Sequence, residues 1–391
     1  VSESVLERPR LTDPDAEREE SWLELFYDLV YVAMIIQLGN VLSDEVSVAG
    51  AVVFVGLFVP IWWTWTVYTF FMNRFVVDDV TQRVLTFAQV FAIVGVGISV
   101  GGASGALANQ FAIAYAAVRL VQVAQYVRTG RHVPEANALI RRYTVGFSVV
   151  GVCWLLSVLV PPPAKYGLWA LGMAIDFYVG LSAGSRRLQR RIPPDPEHLS
   201  GRYGAFTIIV LGEGFIKVID ESAGEVLLVT TLVYGAIGLA IVASVWWLYF
   251  DDVAGSLVRD LSFGSYVWVY AHLPLTAAVV ALGVGIQKVV VLAPGEALDP
   301  QYRWLLCVAV GTYLVSIAAI DYVTETDVPL DDRRRAYVRF AGAGVALALA
   351  VVGGVLAIGP LLALLAAAVG VPVVLDVYAR HAARSPAGAS G

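Results

Sequence analysis

SWLELFYDLVYVAMIIQLGNVL, residues 21–42, decides the class of this protein. A helix needs roughly 20 apolar residues to cross the hydrocarbon core of a bilayer, and this run has the length. Two acids, Glu24 and Asp28, interrupt it. Being four residues apart, they share one helical face. An ionisable side chain at mid-bilayer costs roughly 2.5–3.5 kcal/mol on insertion scales, so such a group faces protein or water and marks a functional position. A second apolar run, residues 203–220, carries Glu213 and Lys217 at the same spacing. The sequence therefore predicts a polar site inside a membrane protein.

Composition agrees with that reading. The 391 residues are 58% hydrophobic and 15% charged, with a mean hydropathy of +0.73. Soluble domains carry about 25% charged residues, so a soluble fold of this length would lack the polar surface to cover itself. The net charge of −6 is unevenly placed. Seven acids and three arginines crowd residues 1–20, which read as an acidic, solvated cytoplasmic tail. That tail lacks the basic start and apolar core of a signal peptide. Cys153 and Cys307 both fall in apolar runs and read as buried thiols. Nothing in this balance points to nucleic acid; the bilayer is the expected partner.

Apolar runs bounded by charge, Pro or Gly predict an all-α polytopic fold of about twelve spans, near residues 21–42, 50–72, 81–101, 109–127, 142–160, 165–184, 203–220, 227–250, 264–290, 304–322, 337–358 and 360–379. Arginine placement tests the count. With a cytoplasmic N-terminus, the even loops hold Arg74 and Arg83; Arg128, Arg131, Arg141 and Arg142; Arg186, Arg187, Arg190, Arg191 and Arg202; Arg259; and Arg333, Arg334, Arg335 and Arg339. The odd loops offer only Lys165 and Arg303. That asymmetry places both termini in the cytoplasm of a cell-membrane protein.

The two halves of the chain repeat one another. Trp62-Trp63 recurs as Trp246-Trp247, and each pair precedes two acids, Asp78-Asp79 and Asp251-Asp252. Leu-Thr followed by Gly-Val-Gly-Ile occurs in the third and ninth spans, and Asp-x-Tyr (Asp176/Tyr178, Asp376/Tyr378) in the sixth and twelfth. The expected organisation is a six-helix repeat over 21–184, a cytoplasmic linker over 185–202, a second six-helix repeat over 203–379 and a cytoplasmic tail over 380–391. An even number of spans per copy makes the repeats parallel, as in one class of transporters.

Three stretches resemble the LtrA family, the bacterial low-temperature-requirement A proteins. They are Glu24-Leu-Phe-Tyr-Asp28-Leu-Val-Tyr-Val32, then Asn73-Arg74-Phe75 with Asp78-Asp79 and Arg83, and Tyr203-Gly-Ala-Phe-Thr-Ile-Ile-Val-Leu-Gly-Glu213 with His198 just ahead. One departure is visible: Gly201 stands where the family usually has an acid before an Arg. The resemblance implies a polytopic membrane protein and no particular activity.

The candidate binding residues are Glu24, Asp28, Asn73, Asp79, Arg83, Arg119, Asp176, Glu213, Lys217 and His272. Charged groups persist in lipid when they neutralise one another or line water. Arg119 facing Glu213 or Asp176 would lock helices together; the same groups around a cavity would bind a solute or ion. The leading expectation is a transporter-like carrier of a small solute or ion, with Glu24, Asp28 and Glu213 exchanging protons or a cation. A second reading uses Asp78, Asp79, Asp251 and Asp252 to hold Mg²⁺ and a lipid-like prenyl diphosphate, since Mg²⁺ is bound by one or two carboxylates plus substrate phosphates. A third is a sensor or assembly protein without turnover. No spacing reads as a zinc site, a catalytic serine motif or a phosphate-cradling loop.

Overall fold

The computed structural model of the chain describes residues 8–12, 20–77, 79–222, 229–254, 257–258, 263–292, 298–325 and 332–384. Asp78 lies outside the described residues, as do the side chains of Glu213, Lys217 and Asp252. Two compact units divide the chain, Val1–Val41 with Val52–Ala205 and Leu42–Ala51 with Phe206–Gly391.

The first unit is built from α1 (Trp22–Asp44), α2 (Val48–Arg74), α3 (Val80–Val100), α4 (Ala108–Gly130), α5 (Asn137–Ser157), α6 (Ala164–Leu181), the short α7 (Ala183–Gln189) and the start of α8 (Pro196–Ser222). Local chemistry sets several of these boundaries. Ser21 and Glu24 form a capping box at the start of α1: the Ser21 N–H and hydroxyl donate to Glu24 Oε2 at 3.0 and 2.8 Å, and the Glu24 N–H donates to Ser21 Oγ at 3.3 Å. Asp79 caps α3 by accepting the Gln82 N–H at 2.8 Å. α6 and α7 meet at a 49° bend. Residues 185–202, expected as a linker, form most of α7 and the first turns of α8. Part of the expected acidic tail is also ordered: β1 (Arg10–Leu11) pairs antiparallel with β2 (Phe75–Val76) at the end of α2.

The second unit holds the rest of α8, α9 (Val229–Asp252), α10 (Gly264–Val290), α11 (Pro300–Val323), α12 (Asp332–Val352) and α13 (Ile358–Arg384). A second ladder, β3 (Leu257–Val258) with β4 (Thr324–Glu325), follows α9 and α11. Glycine lets its helices approach closely. A Cβ on Gly342 would lie 2.6 Å from the Ala368 carbonyl oxygen, and one on Gly283 would lie 3.1 Å from the Cα of Gly214.

Among the described residues, nine helices are long and apolar enough to cross a membrane, and a tenth is gained if α6 and α7 count as one bent span. The other two long helices, α4 and α8, fall outside that set. The reason is visible in α4, where Arg119, Gln122, Gln125 and Thr129 are all buried. A helix that turns its polar groups into a bundle needs no apolar sequence all round. Both cysteines are buried and unbridged.

Candidate functional site

In the first unit α1 and α8 bring opposite charges together on matching helical turns. Glu24 and Asp28 project from α1; His198 and Arg202, also four residues apart, project from α8. Arg202 bridges both acids, with Nη1 at 2.9 Å from Glu24 Oε1 and Nη2 at 2.6 Å from Asp28 Oδ1. His198 Nε2 lies 3.2 Å from the same Glu24 oxygen. Trp65 of α2 donates its indole N–H to Asp28 Oδ1 at 2.7 Å. The side chains of Glu24, Asp28 and Arg202 have no solvent exposure. Asp28 Oδ2 is buried and has no hydrogen-bond partner among the described residues.

A buried hydrogen-bonded relay starts beside this cluster. Gln89 of α3 donates to the Tyr27 hydroxyl at 2.5 Å, Tyr27 to Tyr31 at 3.2 Å, and Tyr31 to Thr64 Oγ1 at 2.8 Å. Gln122 of α4 donates to the Thr64 carbonyl at 2.9 Å and accepts from Arg119 Nη1 at 3.0 Å. Arg119 also donates to the Tyr115 hydroxyl at 2.7 Å and pairs with Asp176 of α6 at 2.5 Å. Tyr27 stacks on Tyr68, their ring centroids 3.8 Å apart. Five helices thus contribute to one polar interior around Arg119 and Thr64, and α8 adds the Arg202 end. A buried polar group without a partner costs about 1–3 kcal/mol, so such networks persist only when largely satisfied.

The structure brings together Glu24 and Asp28 directly, and joins Arg119 to Asp176, one of the two acids the sequence offered it. It assigns other candidates different work. Asn73 clamps the backbone of Asp195, accepting its N–H and donating to its carbonyl, both at 2.8 Å. Asp79 caps α3 and pairs with Arg128 of α4. Arg83 is exposed. His272 lies in the second unit, where Nδ1 faces the Trp268 carbonyl at 2.6 Å and Nε2 faces the Tyr249 hydroxyl at 3.0 Å. The ring is held by packing partners on both sides. Glu213, Lys217, Asp78 and Asp252 fall outside the described side chains.

The acid pairs expected to hold Mg²⁺ are engaged elsewhere at each position the structure describes. Asp79 is taken by Arg128 and the Gln82 N–H, and Asp251 by Arg380 at 3.0 Å. Among the described residues no group of three or more His, Cys, Asp and Glu side chains is arranged to hold a metal ion. The second unit carries its own buried charges. Arg339 pairs with Asp321 and, at 3.0 Å, with Asp376; Arg335 lies 3.6 Å from Asp376 and 3.8 Å from Asp321.

Sequence reasoning treated Arg202, Arg335 and Arg339 as loop charges, because Arg202 and Arg335 precede their apolar runs and Arg339 stands at the start of its run beside Arg333, Arg334 and Arg335. The usable signal was spacing: His198 and Arg202 repeat the four-residue step of Glu24 and Asp28. Gly201 also finds its explanation. A Cβ there would lie 1.9 Å from Glu20 Oε1, so the Glu20 carboxylate fills the space beside Gly201.

These features define a multi-pass helical membrane protein with buried acid–arginine clusters. The chain belongs to the LtrA family: the model for the bacterial low temperature requirement A protein matches residues 19–379. A curated relative, the uncharacterized protein RA0937 of Rhizobium meliloti (strain 1021), is 26% identical over 284 residues, covering 69% of each chain. No solved structure matches.

Proposed function

We propose that this protein is a carrier of a small solute or ion, coupled to a proton or cation, in the cell membrane. All twelve long helices cross the bilayer in this reading, as two parallel six-helix repeats with both termini cytoplasmic. α4 and α8 cross with their polar faces turned inward. The arginine asymmetry between even and odd loops supports the orientation.

The observation that carries the proposal is the pair of buried carboxylates at the α1–α8 contact. Glu24 and Asp28 both reach Arg202, with none of the three reaching solvent. Asp28 Oδ2 is left without a hydrogen-bond partner among the described residues. Burying a polar atom of this kind costs free energy, so a bundle retains an open carboxylate oxygen where a mobile proton or cation can bind it. Arg202 orients the acids, Trp65 fixes Asp28, and the Tyr27–Tyr31–Thr64 chain and Gln122 beside the site lead to Arg119 and Asp176. The diphosphate reading draws no comparable support, since Asp79 and Asp251 are held by arginines.

Reconstitution tests this. Purified protein in liposomes loaded with a pH-sensitive dye is given an outward or inward gradient of sodium, potassium, amino acids or small carboxylates in turn. The expected result is a gradient-driven signal in at least one condition, reduced about tenfold or more in Glu24→Gln, which removes one carboxylate from the site while leaving Arg202 paired to Asp28. Equal signals from wild type and Glu24→Gln refute the role assigned to the cluster.

A further inference from the structure

A second concentration of charge lies beyond the end of α6, outside the α1–α8 site. Between Asp176 and Asp195 the sequence has no acid and four arginines, Arg186, Arg187, Arg190 and Arg191. All four side chains are exposed, and none makes an ion pair or a hydrogen bond among the described residues. Helical winding continues past α7, since the Arg190 N–H donates to the Arg186 carbonyl and the Arg191 N–H to the Leu188 carbonyl, both at 3.1 Å. Arg186 and Arg190 are four apart, as are Arg187 and Arg191, so the guanidiniums form two neighbouring stripes on one face. Like charges at this spacing destabilise a helix unless something neutralises them.

The opposite face of α7 is fixed to the bundle. Buried Ser185 accepts from Arg142 Nε of α5, and Ser182 accepts from Arg142 Nη2 at 2.6 Å. Gln189, one turn beyond Ser185, donates to the Tyr143 hydroxyl at 2.6 Å and to the Gly180 carbonyl at 3.1 Å. Just after α7, Arg74 Nε donates to the Ile192 carbonyl at 3.2 Å. The helix cannot roll its arginines inward without breaking these bonds. It also turns 49° from α6, so at the end of a span it leans toward the membrane plane. In the last turn of α6, Tyr178 and Leu181 share a side and are 68% and 39% exposed. Tyrosine at the end of a span is a usual interface residue. Apolar surface is thus followed within a few residues by a cationic face, the order of a phospholipid from tail to head.

We propose that Arg186, Arg187, Arg190 and Arg191 bind the phosphate headgroups of anionic phospholipids at the membrane surface where α6 ends. A guanidinium presents a fork of N–H donors that matches a phosphate, and a row of arginines directly after a span is drawn to an anionic leaflet. The lipid's charge offsets the repulsion among the four side chains. Asp195, the next acid along the chain, is turned elsewhere: its Oδ1 accepts the N–H groups of Glu197 and His198 at 3.0 and 3.2 Å. This placement takes from the proposed topology only that α6 ends at a membrane surface, and it stands whether or not the protein carries a solute.

Native mass spectrometry of the full-length protein tests this, with dioleoylphosphatidylglycerol or dioleoylphosphatidylcholine titrated into the same detergent micelles. The two lipids share their tails and differ in headgroup charge. Phosphatidylglycerol is expected to bind about tenfold more tightly than phosphatidylcholine. Arg186→Gln with Arg190→Gln is expected to cut that preference about fivefold or more. Arg187→Gln with Arg191→Gln, on the neighbouring stripe, has the same effect and serves where the first pair fails to fold. Arg333→Gln with Arg334→Gln removes the same charge from two exposed positions at the start of α12 and changes the preference less than about twofold. Equal binding of the two lipids, or equal losses from the α7 and α12 pairs, overturns the proposal. So does displacement of the lipid by millimolar glycerol phosphate, which would make the face a site for a free phosphate ester.

Discussion

Both units bury arginines against acids, but they share them differently. In the second unit Arg335 and Arg339 both lie against Asp321 and Asp376. In the first unit Arg119 pairs with Asp176, while Glu24 and Asp28 both reach Arg202, with His198 beside Glu24. The tryptophan pairs that the sequence matched differ in the same sense. Trp62 and Trp63 are 1% and 5% exposed within the first unit, and Trp246 and Trp247 are both 41% exposed. The first pair is buried inside its unit, and the second leaves part of its ring surface exposed. A buried ion-pair cluster can simply fasten helices, and its replacement by apolar side chains of similar volume is often neutral or stabilising. In the proposed carrier reading the second-unit cluster is such a fastening and the α1–α8 acids are the working site.

The largest expected effect breaks the Arg202 contact. Arg202→Ala strands two buried carboxylates and is expected to cost about 3–5 kcal/mol, seen as loss of monodisperse protein and a lower unfolding temperature in detergent. Arg339→Ala leaves Arg335 near both Asp321 and Asp376, so its loss is smaller; the reverse order would break the comparison. Next comes Trp65→Phe, which keeps an aromatic ring of smaller volume and deletes the N–H to Asp28. A hydrogen bond to a charged group is worth about 1.5–3 kcal/mol, so thermal unfolding should show a loss near that size. Gly342→Ala sets a methyl against the Ala368 backbone carbonyl in the second unit. Neither backbone can swing aside, and α12 and α13 must separate, at a cost of about 1–3 kcal/mol by the same assay. Gly201→Ala is the smallest. Its new methyl meets the far end of the Glu20 side chain, which rotates away, so stability stays within about 0.5 kcal/mol of wild type.

Much of the fold was legible because lipid imposes length and polarity on each span. Among the described residues the runs read from sequence fall on helices, nine or ten of which are long and apolar enough to cross a membrane, and the acids at 24 and 28 were visible as a paired face. What stayed hidden has a common cause. Helices extend beyond their apolar runs, so arginines that look like loop charges sit inside the bundle. Arg202, Arg335 and Arg339 are 0%, 2% and 1% exposed, although positive-inside counting assigned all three to the cytoplasm. Asp79 looked like a metal ligand because sequence shows an acid and not the helix start behind it; the Gln82 N–H and Arg128 had already claimed its oxygens. Asn73 looked like a polar site residue, and its amide instead clamps a backbone 122 positions away. Side-chain partners across such distances leave no local trace in one sequence.

The most direct measurement compares solute-driven pH change in liposomes carrying wild type, Glu24→Gln or Asp376→Asn, at matched amounts of folded protein. The account expects the signal to vanish in Glu24→Gln and to persist in Asp376→Asn. Loss in both variants, or persistence in both, would contradict the division between a working site and a fastening.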